Sequence, residues 1–262
     1  MNFAECLSAA QPVDGGFALT VPEGWFQGRT AYGGFSGALA LAAAQRLGGE
    51  GLPPLRSAAV SFVGPLYGLI EVRARVLRQG NNATWIAAEI ARDGEVGLTA
   101  TFAFMGQISS TLHLNNRPMP DGVIPVEQAL PVPVTDAMPM FLRSSSDMRF
   151  ALPRVEGAAR RAEICWWVRL KDQGLPDMTG LMLIADSLPP AILPLGNRTV
   201  PASSMNWQAN LLSSDPTTRD GWWLLRSSAD YAENGCSSQA MDIWNTDGVP
   251  VLSGMQSVAV FG

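Results

Sequence analysis

The chain has 262 residues, 47% of them hydrophobic and 16% charged, which supports one large or two modest cores and excludes a disordered chain. A net charge of -5 argues against nucleic acid or an anionic membrane surface as the main partner. No apolar run reaches membrane-spanning length, and the N-terminal MNFAECLSAA lacks the basic-then-apolar pattern of a secretory leader.

Phe17 to Phe26 predicts a strand and a turn. Gly28 to Gly34 is a polar, glycine-rich loop that opens a helix over Phe35 to Leu47, rich in small residues and stopped by Gly48-Gly49. Small residues let a sheet wrap closely around such a helix. Four strands follow: Ser57 to Val63, Leu69 to Leu77, Ala83 to Arg92 and Gly97 to Met105. The second alternates Ile70, Val72, Ala74 and Val76 with Glu71, Arg73 and Arg75, a half-buried pattern, and Asp93-Gly94 is a hairpin signal.

Gly106 to Ser145 is rich in Pro, Ser and Asn and reads as a long connection over the surface. It holds the only histidine, His113, which reads as a solvated residue. One histidine in a connecting stretch leaves little room for a Ser-His-Asp triad and excludes a His-rich zinc site. Gly34-Phe35-Ser36-Gly37-Ala38 is not a G-x-S-x-G elbow.

After the connection, Arg161 to Leu170 reads as a strand. Asp177 can cap a helix whose run Leu181 to Ala185 is apolar on every side, so the helix is expected to be buried. It meets Asp186 and is ended by Pro189-Pro190. A carboxylate at the end of a buried helix is costly unless paired, hydrogen-bonded or used. Asp186 is therefore either a chemical group or a simple turn residue. Strands are expected over Val200 to Leu212, Gly221 to Tyr231, Ser237 to Asn245 and Val249 to Phe261. The order strand, buried helix, four strands occurs twice, and Asp93-Gly94 aligns with Asp247-Gly248. This predicts an α+β fold made by tandem duplication: residues 1–107, a connection over 108–145, and residues 146–262. In the alignment Phe102 stands where Gln256 stands. Gln256 shares strand parity with Leu252, Val258 and Val260 and should face the apolar side, whereas Ser204 shares parity with Asn206, Gln208 and Asn210.

Gly24-Trp25-Phe26-Gln27-Gly28, Tyr32-Gly33-Gly34, Asp186, Ala202 to Trp207, and Asp247-Gly248 followed by Gln256 together resemble the acyl-CoA thioesterase II type of the double hot-dog, thioesterase-like superfamily. The resemblance covers nearly the whole chain. It implies two units, each an antiparallel sheet wrapped around a central helix, and hydrolysis of an acyl-CoA by an activated water. By the same resemblance Asp186, Ser204 and Gln256 hold that water, with Ser203 the neighbouring alternative, and Asp186 is its base. Tyr32, Gly33 and Gly34 fall at the substrate loop, where the backbone of Gly33-Gly34 is suited to polarise a carbonyl. Two departures stand out: Ser replaces the usual Thr, and Tyr32 stands where a His is common. No metal or redox cofactor is implied, because a thioester is already activated. The implied setting is lipid metabolism in the cytoplasm, consistent with the three dispersed cysteines, Cys6, Cys165 and Cys236, which lack any CxxC spacing. A single double unit and a homodimer of double units both remain open. So does a non-catalytic acyl-CoA or lipid-binding protein of the same fold. A dehydratase is disfavoured by the placement of His113.

Overall fold

The computed structural model describes residues 1–153, 161–172, 175, 178–196 and 200–261. The chain opens with α1 (Phe3–Ala9), closed by a capping box in which Asn2 and Glu5 exchange two 2.8 Å hydrogen bonds. Strands β1 (Gln11–Val13) and β2 (Gly16–Thr20) form a hairpin, and β3 (Phe26–Gln27) pairs with β4 (Thr30–Ala31). Helix α2 (Gly33–Gly48) follows at once and ends at Gly49, whose φ of 70° suits a residue without Cβ. Then come β5 (Leu55–Phe62), β6 (Leu69–Gln79), β7 (Ala83–Arg92) and β8 (Glu95–Met105). The second half holds α3 (Met140–Ser145), β9 (Ser146–Phe150), β10 (Glu163–Leu170), α4 (Met178–Ala185), β11 (Ala202–Leu211), β12 (Trp223–Glu233), β13 (Cys236–Trp244) and β14 (Pro250–Val260). Asp177, the expected cap of α4, lies outside the described residues.

The described residues build one antiparallel sheet of twelve strands, ordered β1-β2-β6-β7-β8-β5-β11-β14-β13-β12-β10-β9. Read outward from the β5–β11 junction, the two sides repeat one another: β8, β7, β6, β2 on one, β14, β13, β12, β10 on the other. This is the double hot-dog. Val60 lies opposite Trp207 and Ala58 opposite Ala209 at the junction, all four buried.

Both central helices sit inside the curved sheet and pack against each other. Every residue of α2 from Gly34 to Ala44 is buried, as is every residue of α4, which is why neither shows an amphipathic pattern. No helix among the described residues is long and apolar enough to cross a membrane.

The two Asp-Gly turns differ. Asp93 and Gly94 both have positive φ, 52° and 82°, and close a two-residue hairpin between Arg92 and Glu95. At the second, only Gly248 enters that region. There the Asn245 side chain accepts the N–H groups of Asp247 and Val249, at 3.0 and 2.9 Å, and organises a wider loop. Leu98 and Leu252 nevertheless take matching places, opposite Ile90 and Ile243.

The connecting stretch is ordered against the second half. Val126 and Ala129 pack on Trp167, Trp222 and Trp244. The indole N–H groups of Trp167 and Trp244 donate to the carbonyls of Ile124 and Arg117 at 2.8 and 2.9 Å. His113 is exposed. Helix α3 falls within residues 108–145, which the sequence suggests as connection only. Its Ser144 hydroxyl donates to the Gly24 carbonyl at 2.7 Å, which brings α3 against the start of the chain beside α2.

Candidate active site

Helix α4 stops at Ala185, and Asp186 is the next residue, three before Pro189 and Pro190 end any helical continuation. Its Oδ1 accepts the Gln256 Nε2–H at 2.8 Å. The backbone amide of Gly34, in the first turn of α2, also favours the charged carboxylate. The end of one central helix thus meets the start of the other, and a negative charge there is favoured by the α2 dipole. Closeness explains the glycines. A Cβ on Gly33 would run into Asp186 Oδ2 and the Phe62 ring, and one on Gly34 into the Tyr32 hydroxyl and the Leu183 carbonyl.

Burial pushes the Asp186 carboxyl up from 3.8 to about 7, and the Gln256 hydrogen bond and the Gly34 amide only partly pull it back. The residue keeps partial exposure because it faces a cleft of about 360 Å³, also lined by Gly33, Ser36, Phe62, Ser203 and Ser204. A carboxylate poised near neutrality at the wall of a cleft can take a proton from a water held there.

Ser204 reaches this cleft through a β-bulge. On β14, Val258 and Gln256 are two residues apart, yet their partners on β11, Ser204 and Trp207, are three apart, with the register breaking between Ser204 and Asn206. The extra residue reverses the facing of the strand. Past the bulge Trp207, Ala209 and Leu211 point inward, and before it Ser204 shares the inner face with Val258 and Gln256. Ser203 is exposed at the cleft rim.

Gln256 is itself buried, and its other amide end meets Gln239 of β13, opposite it across the sheet, at 2.8 Å. In the first half the corresponding cross-strand pair is Ile86 and Phe102, both fully buried and apolar. Only the second half carries the polar set. Among the described residues no cluster of His, Cys, Asp and Glu could hold a metal ion.

Residues 21–105 match the family model of the acyl-CoA thioesterase N-terminal domain, and residues 116–260 that of the acyl-CoA thioesterase C-terminal domain. The chain belongs to the acyl-CoA thioesterase family. Its fold is similar to that of a conserved hot-dog protein of unknown function from Alicyclobacillus acidocaldarius, with a TM-score of 0.86 and 21% identity over 100% of this chain and 99% of that one. It is also similar to the acyl-CoA thioesterase II TesB2 of Mycobacterium marinum, with a TM-score of 0.76 and 16% identity over 100% and 99% of the two chains. The tesB protein of Mycobacterium avium subs paratuberculosis has the same TM-score of 0.76, with 14% identity over the full length of both. No curated protein matches the chain in sequence.

In this family member, Tyr32 stands behind the cleft and does not line it. It is 1% exposed, stacks on Phe141 of α3 with ring centroids 3.7 Å apart, and donates its hydroxyl to the Leu183 carbonyl at 2.9 Å. Leu183 lies in the last turn of α4, where carbonyls lack intrahelical partners. Burial and the nearby Asp186 hold the phenol well above its usual range, so it stays a donor. Tyr32→Phe leaves that buried carbonyl unpaired and should cost about 1–3 kcal/mol of stability. The measurement is the denaturant midpoint at unchanged slope; an unchanged midpoint would refute the tie between the helices.

Gln239 is the part of the site that sequence reasoning missed. A signal for Gln239 exists: it shares strand parity with the apolar Met241 and Ile243.

Proposed function

We propose that the chain hydrolyses an acyl-CoA thioester to a free acid and CoA, using a water activated by Asp186. The observation that carries this reading is a carboxyl raised to about 7 beside a cleft, on a chain of the acyl-CoA thioesterase family. A water between Asp186 and Ser204 gives its proton to the carboxylate as its oxygen attacks the thioester carbon. The carbonyl electron pair moves to oxygen, where the N-terminal end of α2 at Gly33 favours the developing negative charge. When the carbonyl reforms, the C–S bond breaks and the thiolate takes the proton held by Asp186. Gln256 keeps the carboxylate aimed. The Gly34 amide favours the charged carboxylate and so supports the base.

A general base of this kind contributes ~10²–10⁴-fold. A cytoplasmic setting in lipid metabolism belongs to the same reading. It is supported by three free cysteines, of which Cys6 and Cys165 are buried, with thiols pushed up to about 11 and about 12 by desolvation.

The test is thiol release from a panel of short, medium, long and aromatic acyl-CoAs. Release from at least one class is expected. Binding without release from any of them would mean that the chain keeps the fold as an acyl-CoA binding protein.

A further inference from the structure

We propose that Gln239 is a positioning residue that decides which end of the Gln256 amide faces Asp186, an inference that rests on reading Asp186 as the base. The relay starts at a group whose polarity is beyond choice. The backbone N–H of Ala191, fully buried after Pro189-Pro190, can only donate, and it donates to Gln239 Oε1 at 2.9 Å. With its oxygen committed, Gln239 presents Nε2 to Gln256 and donates to Oε1 at 2.8 Å. Gln256 is then left with Nε2 to offer Asp186 Oδ1, at 2.8 Å. Three hydrogen bonds run in one direction, from a backbone amide to the carboxylate.

Reversing either amide would set donor against donor at Ala191 or leave two oxygens facing each other. Without Gln239, the Gln256 amide can present either end. Its oxygen end would repel an ionised Asp186 and accept from a protonated one, so losing the relay favours the acid over the base. The groups around the carboxyl leave this effect legible. Tyr32, at the start of α2, is the titratable side chain that feels Asp186, while Ser204, Gln239 and Gln256, on β11, β13 and β14, carry no charge. The corresponding place on β7 holds Ile86, so an apolar side chain fits this position of the sheet.

The test follows the Asp186 carboxyl directly by carbon-13 NMR in the full chain, with the resonance assigned by its loss in Asp186→Asn. In Gln239→Met it should titrate about one pH unit higher than in the parent, the loss of a hydrogen bond to the charged form. kcat/KM for thiol release should fall about fivefold at pH 7, approach a tenfold loss at lower pH and recover at alkaline pH, where a structural defect would persist. In a Gln256→Met background, Gln239→Met should move the titration no further, because Gln239 acts through Gln256. Gln239→Asn, one methylene shorter and still polar, serves if the Met variant does not fold and should move the carboxyl in the same direction. A titration unmoved in the folded variant, or moved equally with Gln256 absent, overturns the proposal. A parent without thiol release from any acyl-CoA would defeat the hydrolase reading alone, since the carboxyl titration still decides the role of Gln239.

Discussion

Asp186→Asn should lower turnover on acyl-CoA by ~10²-fold or more, with little change in substrate binding. The substitution keeps the shape of the side chain and one acceptor for the Gln256 amide, 2.8 Å away, but removes the group that takes the proton of water. Because the carboxylate acts mainly in the transition state, the loss should fall on kcat and not on KM. Ser204→Ala and Gln256→Ala should each cost less, and their losses should not add, since Ser204 holds the water that the carboxylate aimed by Gln256 activates. Steady-state thiol release by the folded variants checks all three. Near-normal hydrolysis by Asp186→Asn would return Asp186 to a backbone role, a residue that turns the chain between α4 and the two prolines. In the parent, kcat/KM should rise with pH through about 7, where the carboxyl loses its proton.

Much of this arrangement can be read from local residue patterns. Small residues closed by Gly48-Gly49 mark α2, and an apolar run ended by an acidic residue and two prolines marks α4 and places Asp186 at its end. Parity along β14 puts Gln256 on the inner face, where the structure finds it. The same rule fails for Ser204. Simple alternation has no place for an extra residue, and Ser204-Met205-Asn206 carries no glycine to announce the bulge. The roles of Tyr32 and Gly34 escape for a different reason: each depends on a partner about 150 residues away, Leu183 and Asp186, whose distance from them only packing determines. Gln239 is similar, because a polar residue at a core position is visible in the sequence but its partners, Ala191 and Gln256, follow from strand register. The start of the chain shows a missed local cue instead: Asn2 and Glu5 have the spacing of a capping box, and α1 follows from it.

The largest stability effect should also arise at Asp186, and with a sign opposite to that of an ordinary surface carboxylate. Its carboxyl titrates at about 7 in the folded chain and at 3.8 without the fold. Between those values the folded protein holds a proton that the unfolded chain releases, so raising the pH favours unfolding. The stability lost between about pH 4 and pH 7 is at most about 4 kcal/mol, from roughly three pH units at 1.36 kcal/mol each. The partial opening of the carboxyl to the cleft reduces this figure through solvent screening. Asp186→Asn removes the titration. It also changes the hydrogen bond to Gln256, but that cost does not vary with pH. The difference in unfolding free energy between the two proteins should therefore move in favour of the Asp186→Asn variant as pH rises from about 4, and level off above about 7. Denaturant unfolding of both at a series of pH values measures it. A difference that stayed flat across this window would show that the carboxyl is not held near neutrality by the fold, and would remove the physical basis for its use as a base.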